Sequence, residues 1–193
     1  MLTLYFNPGA SSMAPHIALH EIGVPFDAKP IFLSKKEHRT PAYLASNPEG
    51  KVPTLLIDRR RLTEVAAILY FLAKQYPAAN LWPFTGAEAE AQAISWMSFL
   101  AATLHPARHR GLEKATAIFT LADRRLGGRT WALDTYSIVD IHLFRLYWRF
   151  ANSLKPLAGS LPNLERHYDR MMLRPAVEKT IQIEAAVGYD LPA

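Results

Sequence analysis

Two serines, Ser11 and Ser12, follow the loop sequence Asn7-Pro8-Gly9-Ala10 and precede Ile17, Ala18 and Ile22, which recur at helical spacing until Gly23. Leu2 to Phe6, ahead of the loop, is β-prone, so the local order is strand, loop, helix. At a helix start the backbone N–H groups lack intrahelical partners and the helix dipole turns its positive end outward. Hydroxyls placed there add donors to a location that stabilises an anion. An isolated serine pair more often only caps its helix, with Ser12 in the capping place here, so the context has to decide.

Other candidate chemistry is quickly bounded. The chain has no cysteine, which excludes disulfides, thiolate zinc sites and a protein thiol nucleophile together. His16 and His20 are four residues apart, as are His105 and His109, but neither pair has an evident third ligand, and Pro106 biases His105 away from helical geometry. No metal is expected. With 22 basic and 17 acidic residues the formal charge is +5, yet Arg59-Arg60-Arg61, Arg108-His109-Arg110 and Arg124-Arg125 are short separate clusters without interleaved aromatics. Nucleic acid is therefore not an expected partner, whereas small anionic ligands suit a mildly basic surface.

The 193 residues, 50% hydrophobic and 20% charged, suffice for one domain or two small ones with a real core. Phe26 to Leu33 reads as a second strand, pushed toward an edge by Pro30. Thr40-Pro41 opens a short helix around Tyr43-Leu44, and Asn47-Pro48-Glu49-Gly50 is a turn. Val52 to Ile57, a turn at Asp58 to Arg60 and Arg61-Leu62-Thr63 make a hairpin, followed by a buried helix from Glu64 to Gln75. The order βαβαββα implies a small α/β sandwich. Periodicity is lost between Tyr76 and Gly86, and everything beyond looks helical: Ala87 to Leu104, Leu112 to Leu126, Ser137 to Phe150, and late helices starting at Pro162 and Pro175. Ser137-Ile138-Val139-Asp140 has capping-box spacing. The longest apolar stretch, Val65 to Ala73, is far below the roughly 18 residues of a membrane-spanning helix, and the amino terminus lacks a leader pattern. A cytoplasmic protein with no membrane partner is expected.

Three segments in this order carry a family resemblance: Asn7-Pro8-Gly9-Ala10-Ser11-Ser12 before Pro15-His16-Ile17-Ala18-Leu19, then Asn47-Pro48-Glu49-Gly50-Lys51-Val52-Pro53, then Leu62-Thr63-Glu64 with Ala67-Ile68. They resemble the cytosolic glutathione S-transferases, nearest the bacterial beta class. Ile94-Ser95-Trp96, Leu104-His105 and the Ser137 to Asp140 box extend the resemblance through the helical half. It implies an α/β thioredoxin-like domain over residues 1–77 that binds glutathione, a linker at 78–86, and an all-α domain over 87–193 that forms the second-substrate pocket. Glutathione as co-substrate, a small hydrophobic electrophile and a homodimer come with it.

Site roles follow residue by residue from the same resemblance. Val52 matches the residue whose backbone pairs with that of glutathione, and Pro53 the proline that is cis. Glu64 matches the acidic contact to the γ-glutamyl end, where a carboxylate can pair the ammonium. Val65 stands where many relatives have serine or glycine, which leaves its backbone N–H as the only donor. Lys36, or its neighbour Lys35, falls near the lysine that meets the glycyl carboxylate. His105 stands where the beta class has a histidine facing the sulfur.

Ser11 stands where the beta class has cysteine, which removes any mixed disulfide between protein and glutathione. A hydroxyl still donates to a thiolate. A hydrogen bond to a charged group contributes about 1.5–3 kcal/mol, enough to lower the pKa of a bound thiol from near 8.5 by roughly one to two units. Phe6 replaces a tyrosine common near the end of the first strand, and strand alternation turns Tyr5 to the opposite face. The residues thus imply a glutathione transferase with Ser11 as thiolate donor, Ser12 as its rival and His105 as an auxiliary polar group. The alternative is a binding protein of the same fold without turnover.

Overall fold

In the computed structural model, which describes residues 1–192, β1 (Leu2–Phe6) lies inside a four-stranded sheet of order β2-β1-β3-β4. Every β1 residue except Tyr5 is buried, which explains a strand apolar almost throughout. β2 (Phe26–Pro30) runs parallel to β1 with Leu2 opposite Phe26, a pairing that requires a crossover, and α1 (Met13–Ile22) supplies it. The strand stops at Pro30, short of the expected Leu33. Beyond it the Leu33 N–H leaves the ladder and donates to the Asn7 side chain at 3.1 Å. A single tight turn at Glu37–Arg39, not anticipated from sequence, precedes α2 (Pro41–Ser46).

β3 (Thr54–Ile57) is antiparallel to both β1 and β4 (Arg60–Thr63). The hairpin turn is Asp58-Arg59, one residue shorter than the pattern implied. Both residues have positive φ, 47° and 72°, as a two-residue turn that matches strand twist demands. α3 (Val65–Gln75) follows and buries Val65, Ile68, Leu69 and Leu72.

The second half is helical. α4 (Ala87–Phe99) continues through Leu100–Leu104 with a widened turn and ends in a tightly wound segment, His105–Arg110. His105 itself has helical backbone angles, φ −58° and ψ −47°, against the expectation drawn from Pro106. Pro106 sits in the first turn of the tight segment, where a missing N–H costs nothing. α5 (Leu112–Leu126) ends at Gly127, α6 (Ile138–Ser153) runs three residues past the expected Phe150, and α7 (Pro162–Met172) and α8 (Pro175–Val187) start at their prolines. Residues 138–150 are buried along their whole length, so α6 forms the axis of this half. Phe150 on α6 stacks on Phe119 of α5 with ring centroids 4.1 Å apart. The two halves are joined around α1, where Glu21 takes both a hydrogen bond from the Tyr136 hydroxyl at 2.8 Å and a two-pronged contact from Arg174 at 2.6 and 3.0 Å.

The Ser137–Asp140 capping box forms as the spacing implied, and tertiary packing extends it. Ser137 Oγ accepts from the Val139 N–H at 3.2 Å, and Asp140 Oδ2 accepts from the Ser137 N–H at 3.0 Å. Asp140 Oδ1, fully buried, also accepts from the Ala132 N–H at 2.8 Å and meets His167 Nε2 at 3.1 Å. Among the described residues no helix is long and apolar enough to cross a membrane, and no cluster of three or more His, Asp or Glu side chains forms.

Removing a buried carboxylate that serves several donors leaves all of them unpaired. Asp140→Ala is expected to lower the unfolding free energy by about 3 kcal/mol, seen as a large fall in the urea midpoint. A loss below about 1 kcal/mol would show that the box does not organise α6.

Candidate functional site

The loop between β1 and α1 is built by Asn7, which is buried. Its main-chain oxygen accepts from the Ala10 N–H at 2.9 Å and from the Ser12 hydroxyl at 3.2 Å, and its N–H donates back to Ser12 Oγ at 3.1 Å. Ser12 is fully buried and makes no side-chain cap of its helix. Its hydroxyl closes the loop from inside, and it lines neither of the clefts described below. Gly9 has φ +70°, and a Cβ there would stand 2.5 Å from Leu191 Cδ2. Only glycine fits under the carboxy-terminal tail.

The helical half grips this loop by its backbone. The Gly9 N–H donates to Glu184 Oε2 of α8 at 2.7 Å, while Glu184 Oε1 lies 3.0 Å from His16 Nδ1. One residue on, Arg145 of α6 donates from Nε to the Ala10 carbonyl at 3.0 Å. Ser11 is thereby presented at the cleft, and its hydroxyl donates to the Val52 carbonyl at 3.0 Å.

Opposite the loop, Asn47 organises the turn that leads to Val52. Its amide donates to the Lys51 carbonyl at 3.0 Å and to Thr54 Oγ1 at 2.9 Å, and its oxygen accepts from the Glu49 N–H at 3.0 Å. Gly50, at φ +60°, lies so close to His38 that a Cβ would be 2.8 Å from its carbonyl oxygen. The Val52–Pro53 peptide bond is cis, as the resemblance implied. At the next element Glu64 precedes α3 with φ 68° and ψ 125°, a conformation costing a non-glycine residue on the order of 1–3 kcal/mol. Its carboxylate makes no cap bond to its own helix, so the first α3 N–H groups, Val65 among them, lack that partner.

Two clefts of about 520 and 270 Å³ meet here and share Ser11, Lys51, Val52 and His105. The smaller runs past Pro53, Glu64 and Val65 to the buried ring of His142. The larger runs past Ala10 and Leu33 to Arg108, Arg145 and Arg149. His105 has its pKa pushed down to about 4, by burial first and then by Arg145 and Arg108. The imidazole is therefore neutral at physiological pH. His142 is held still lower, at about 3, by burial and then by Arg145 and His105, and neither of its ring nitrogens has a protein partner among the described residues.

Of the residues singled out from sequence, Ser11, Val52, Pro53, Glu64, Val65 and His105 come together around these clefts. Lys36 does not. It is exposed, at φ 58°, at the start of the 37–39 turn, which directs the chain outward, and Lys35 places its Nζ 4.3 Å over the Phe32 ring. The lysine lining both clefts is Lys51, already present in the motif but given no role there. Arg108, Arg145, Arg149, His142 and Glu184 were also missed. Arg108 belonged to a visible basic cluster, and Arg145 and Arg149 stand four apart on one helix. Nothing in the pattern says which face of α6 meets the loop.

Comparison with known proteins identifies the family. The family model described as the glutathione S-transferase N-terminal domain matches residues 11–75, and that of the C-terminal domain matches residues 84–175. Glutathione S-transferase GST-4.5 of Xanthomonas campestris pv. campestris is 30% identical over 95% of this chain and 98% of its own length. A sphingomonad glutathione S-transferase solved in complex with glutathione superposes with a TM-score of 0.85 at 32% identity, over 95% of this chain and 98% of its own. The bacterial beta class glutathione S-transferase of Sphingomonas chungbukensis gives 0.84 at 33%, over 94% and 98%. The chain belongs to the glutathione S-transferase family.

The histidines make a prediction about stability. His20, His105 and His142 all have pKa values held well below 6.5, at about 4, 4 and 3, mainly by burial. The unfolded chain binds protons that the folded one refuses, so stability rises with pH across this window. Urea midpoints are expected to fall steadily as pH drops from about 6.5 toward 4, faster than in a His142→Asn variant of otherwise native fold. A flat profile would contradict the burial of these rings.

Proposed function

Given a member of the glutathione S-transferase family with this site, we propose that the protein binds glutathione and joins its thiolate sulfur to small electrophiles, forming S-substituted glutathione. The observation that carries the reading is the convergence of the Ser11 hydroxyl, the Val52 backbone edge and the start of α3 on one connected cleft. Val52 offers its N–H and carbonyl to the peptide backbone of glutathione. Glu64 meets the γ-glutamyl ammonium while the α3 N–H groups beside Val65 receive its carboxylate. Lys51 takes the place that the resemblance assigned to Lys36, facing the glycyl carboxylate.

Ser11 holds the sulfur. Without a ligand its hydroxyl donates to a neutral carbonyl, that of Val52. When a thiolate arrives, the hydroxyl rotates to it, exchanging a neutral acceptor worth about 0.5–1.5 kcal/mol for a charged one worth about 1.5–3. The midpoints differ by about 1.25 kcal/mol, close to one pKa unit, and the positive end of α1 adds to it. The thiolate attacks the electrophilic carbon, a carbon–sulfur bond forms, and the leaving group departs with its electron pair. His105, neutral, serves as a polar neighbour and carries no proton into the step. The engagement of Ser11 with Val52 is also what favours the second reading, a glutathione-binding protein without turnover. Activity against a panel of electrophiles separates the two.

The reading includes a homodimer and cytoplasmic detoxification of small hydrophobic electrophiles. Tyr70 on α3 and Ile94 on α4 are exposed, at 44% and 55%, and are available to such an association. Sedimentation at micromolar concentration is expected to give twice the chain mass, and Ile94→Glu to shift it toward monomer. A monomeric native protein would remove the dimer from the reading.

A paired titration tests the sulfur and the ligand. Ser11→Ala is expected to raise the pKa of bound glutathione by about one unit, followed by thiolate absorbance, with affinity for glutathione little changed. Glu64→Ala is expected to weaken glutathione at least about tenfold by calorimetry. If the thiol pKa stays put in Ser11→Ala, backbone N–H groups hold the thiolate. Unchanged affinity in Glu64→Ala would move the γ-glutamyl contact elsewhere.

A further inference from the structure

The larger cleft has a charge imbalance that glutathione alone does not account for. On the side away from Glu64 it is lined by Arg108, from the tight turn after α4, and by Arg145 and Arg149, one turn apart on α6. Among the described residues Asp190 is the only carboxylate in its lining. The hydrogen bonds these arginines make go to neutral acceptors: Arg145 to the Ala10 carbonyl at 3.0 Å, and Arg149 to the Pro192 carbonyl at 2.7 Å. Arg108, half-buried, donates to no group and pairs with no carboxylate among the described residues.

Such a cluster is costly as it stands. Burial lowers the pKa of all three guanidinium groups, and Arg145, at about 9, is pushed down further by Arg108 and Arg149. Guanidinium charges facing one another in a partly dry cleft gain most from an anion placed between them, because a carboxylate matches the planar donor fork in two-pronged fashion. The thiolate at Ser11 is one anion, and it lies beside the Ala10–Arg145 contact. Arg108 and Arg149 extend the positive surface beyond it, over a volume of about 520 Å³ with Leu33 and Pro192 as apolar walls.

We propose that the second substrate of this site is an anionic electrophile, an apolar frame bearing a carboxylate, whose charge is received by Arg108 with Arg149 beside it. The inference rests on the transferase reading and deepens it, by naming the class of its second substrate. The apolar frame lies against Leu33 and Pro192 while the carboxylate faces the arginines. That orientation turns the electrophilic carbon toward Ser11 and the sulfur.

A matched pair of probes tests this: a chlorodinitrobenzoate and the chlorodinitrobenzamide of the same substitution pattern. In both, the glutathione thiolate forms a carbon–sulfur bond at the chlorine-bearing carbon, chloride leaves with its electron pair, and the thiol proton goes to solvent. After correction for the intrinsic reactivity of each compound with free glutathione, the native protein is expected to favour the carboxylate in kcat/KM. Arg108→Gln is expected to lower that preference about tenfold, mainly through KM of the carboxylate, with partial retention in Arg108→Lys. Arg110→Gln, nearby but outside the cleft lining, is expected to leave the preference intact.

Loss of activity by the same factor with both probes in Arg108→Gln would overturn the proposal and assign the arginine to the thiolate. An equal or better reaction of the native protein with the amide would overturn it too. If neither probe reacts, the transferase reading fails separately, and the preference is read instead from equilibrium binding of the two S-aryl glutathione products. Tighter binding of the carboxylate product, lost in Arg108→Gln, sustains the anion site; equal binding ends it.

Discussion

The site depends on two backbone groups held from outside their own domain. Glu184 of α8 accepts the Gly9 N–H, and Arg145 of α6 donates to the Ala10 carbonyl, so a buried carboxylate and a buried guanidinium clamp adjacent peptide groups of one loop. Each charge lies in a place where it is expensive to keep. Each is satisfied by a polar group that would itself be an unpaired buried donor or acceptor without it. The arrangement explains why Ser11 projects at a defined place. The loop has no regular ladder to fix it, Ser12 locks it only from inside, and the helical half supplies the remaining constraint. Gly9 completes the clamp, because its positive φ favours glycine and a Cβ there would press on the Leu191 side chain.

Electrostatics then divides the cleft into two regions of different character. Toward α3 the surroundings are an acidic residue, a helix start and a neutral buried imidazole, suited to a zwitterionic peptide end. Toward α6 the arginines raise the local potential and add to the burial that keeps His105 and His142 neutral, since a second positive charge beside Arg145 is unfavourable. Both imidazoles are therefore neutral at physiological pH and carry one N–H each.

Much of the fold was legible because it rests on local rules. The parallel β1–α1–β2 unit follows from an apolar strand, a loop-forming Asn-Pro-Gly and a helix closed by Gly23. The helical half follows from period and from caps at Ser137, Pro162 and Pro175. Boundaries were less legible where a neighbour decided them: β2 ends early because the Leu33 N–H finds the Asn7 side chain, and His105 stays helical because Pro106 begins a tight turn whose first N–H needs no partner. Within the site, Ser11, Val52, Pro53, Glu64 and His105 were recognisable because they belong to contiguous motifs whose loop and helix-end geometry is encoded nearby.

The sequence by itself determined the order of elements, the absence of any thiol chemistry from the protein, and the family whose motifs it carries. Tertiary structure alone decided which charges reach the cleft. Lys36 and Lys51 are equally basic in the sequence and both are exposed, yet only Lys51, in a backbone turn fixed by Asn47, lines the clefts. Arg145 and Arg149 share one helix, and Arg108, far away in the chain, joins them only at the cleft, to which α6 is brought by its packing against α1. The physical reason is range: caps, turns and periodicity act over a few residues. A cleft's potential, in contrast, sums charges brought together from distant parts of the chain, and no local pattern records that sum.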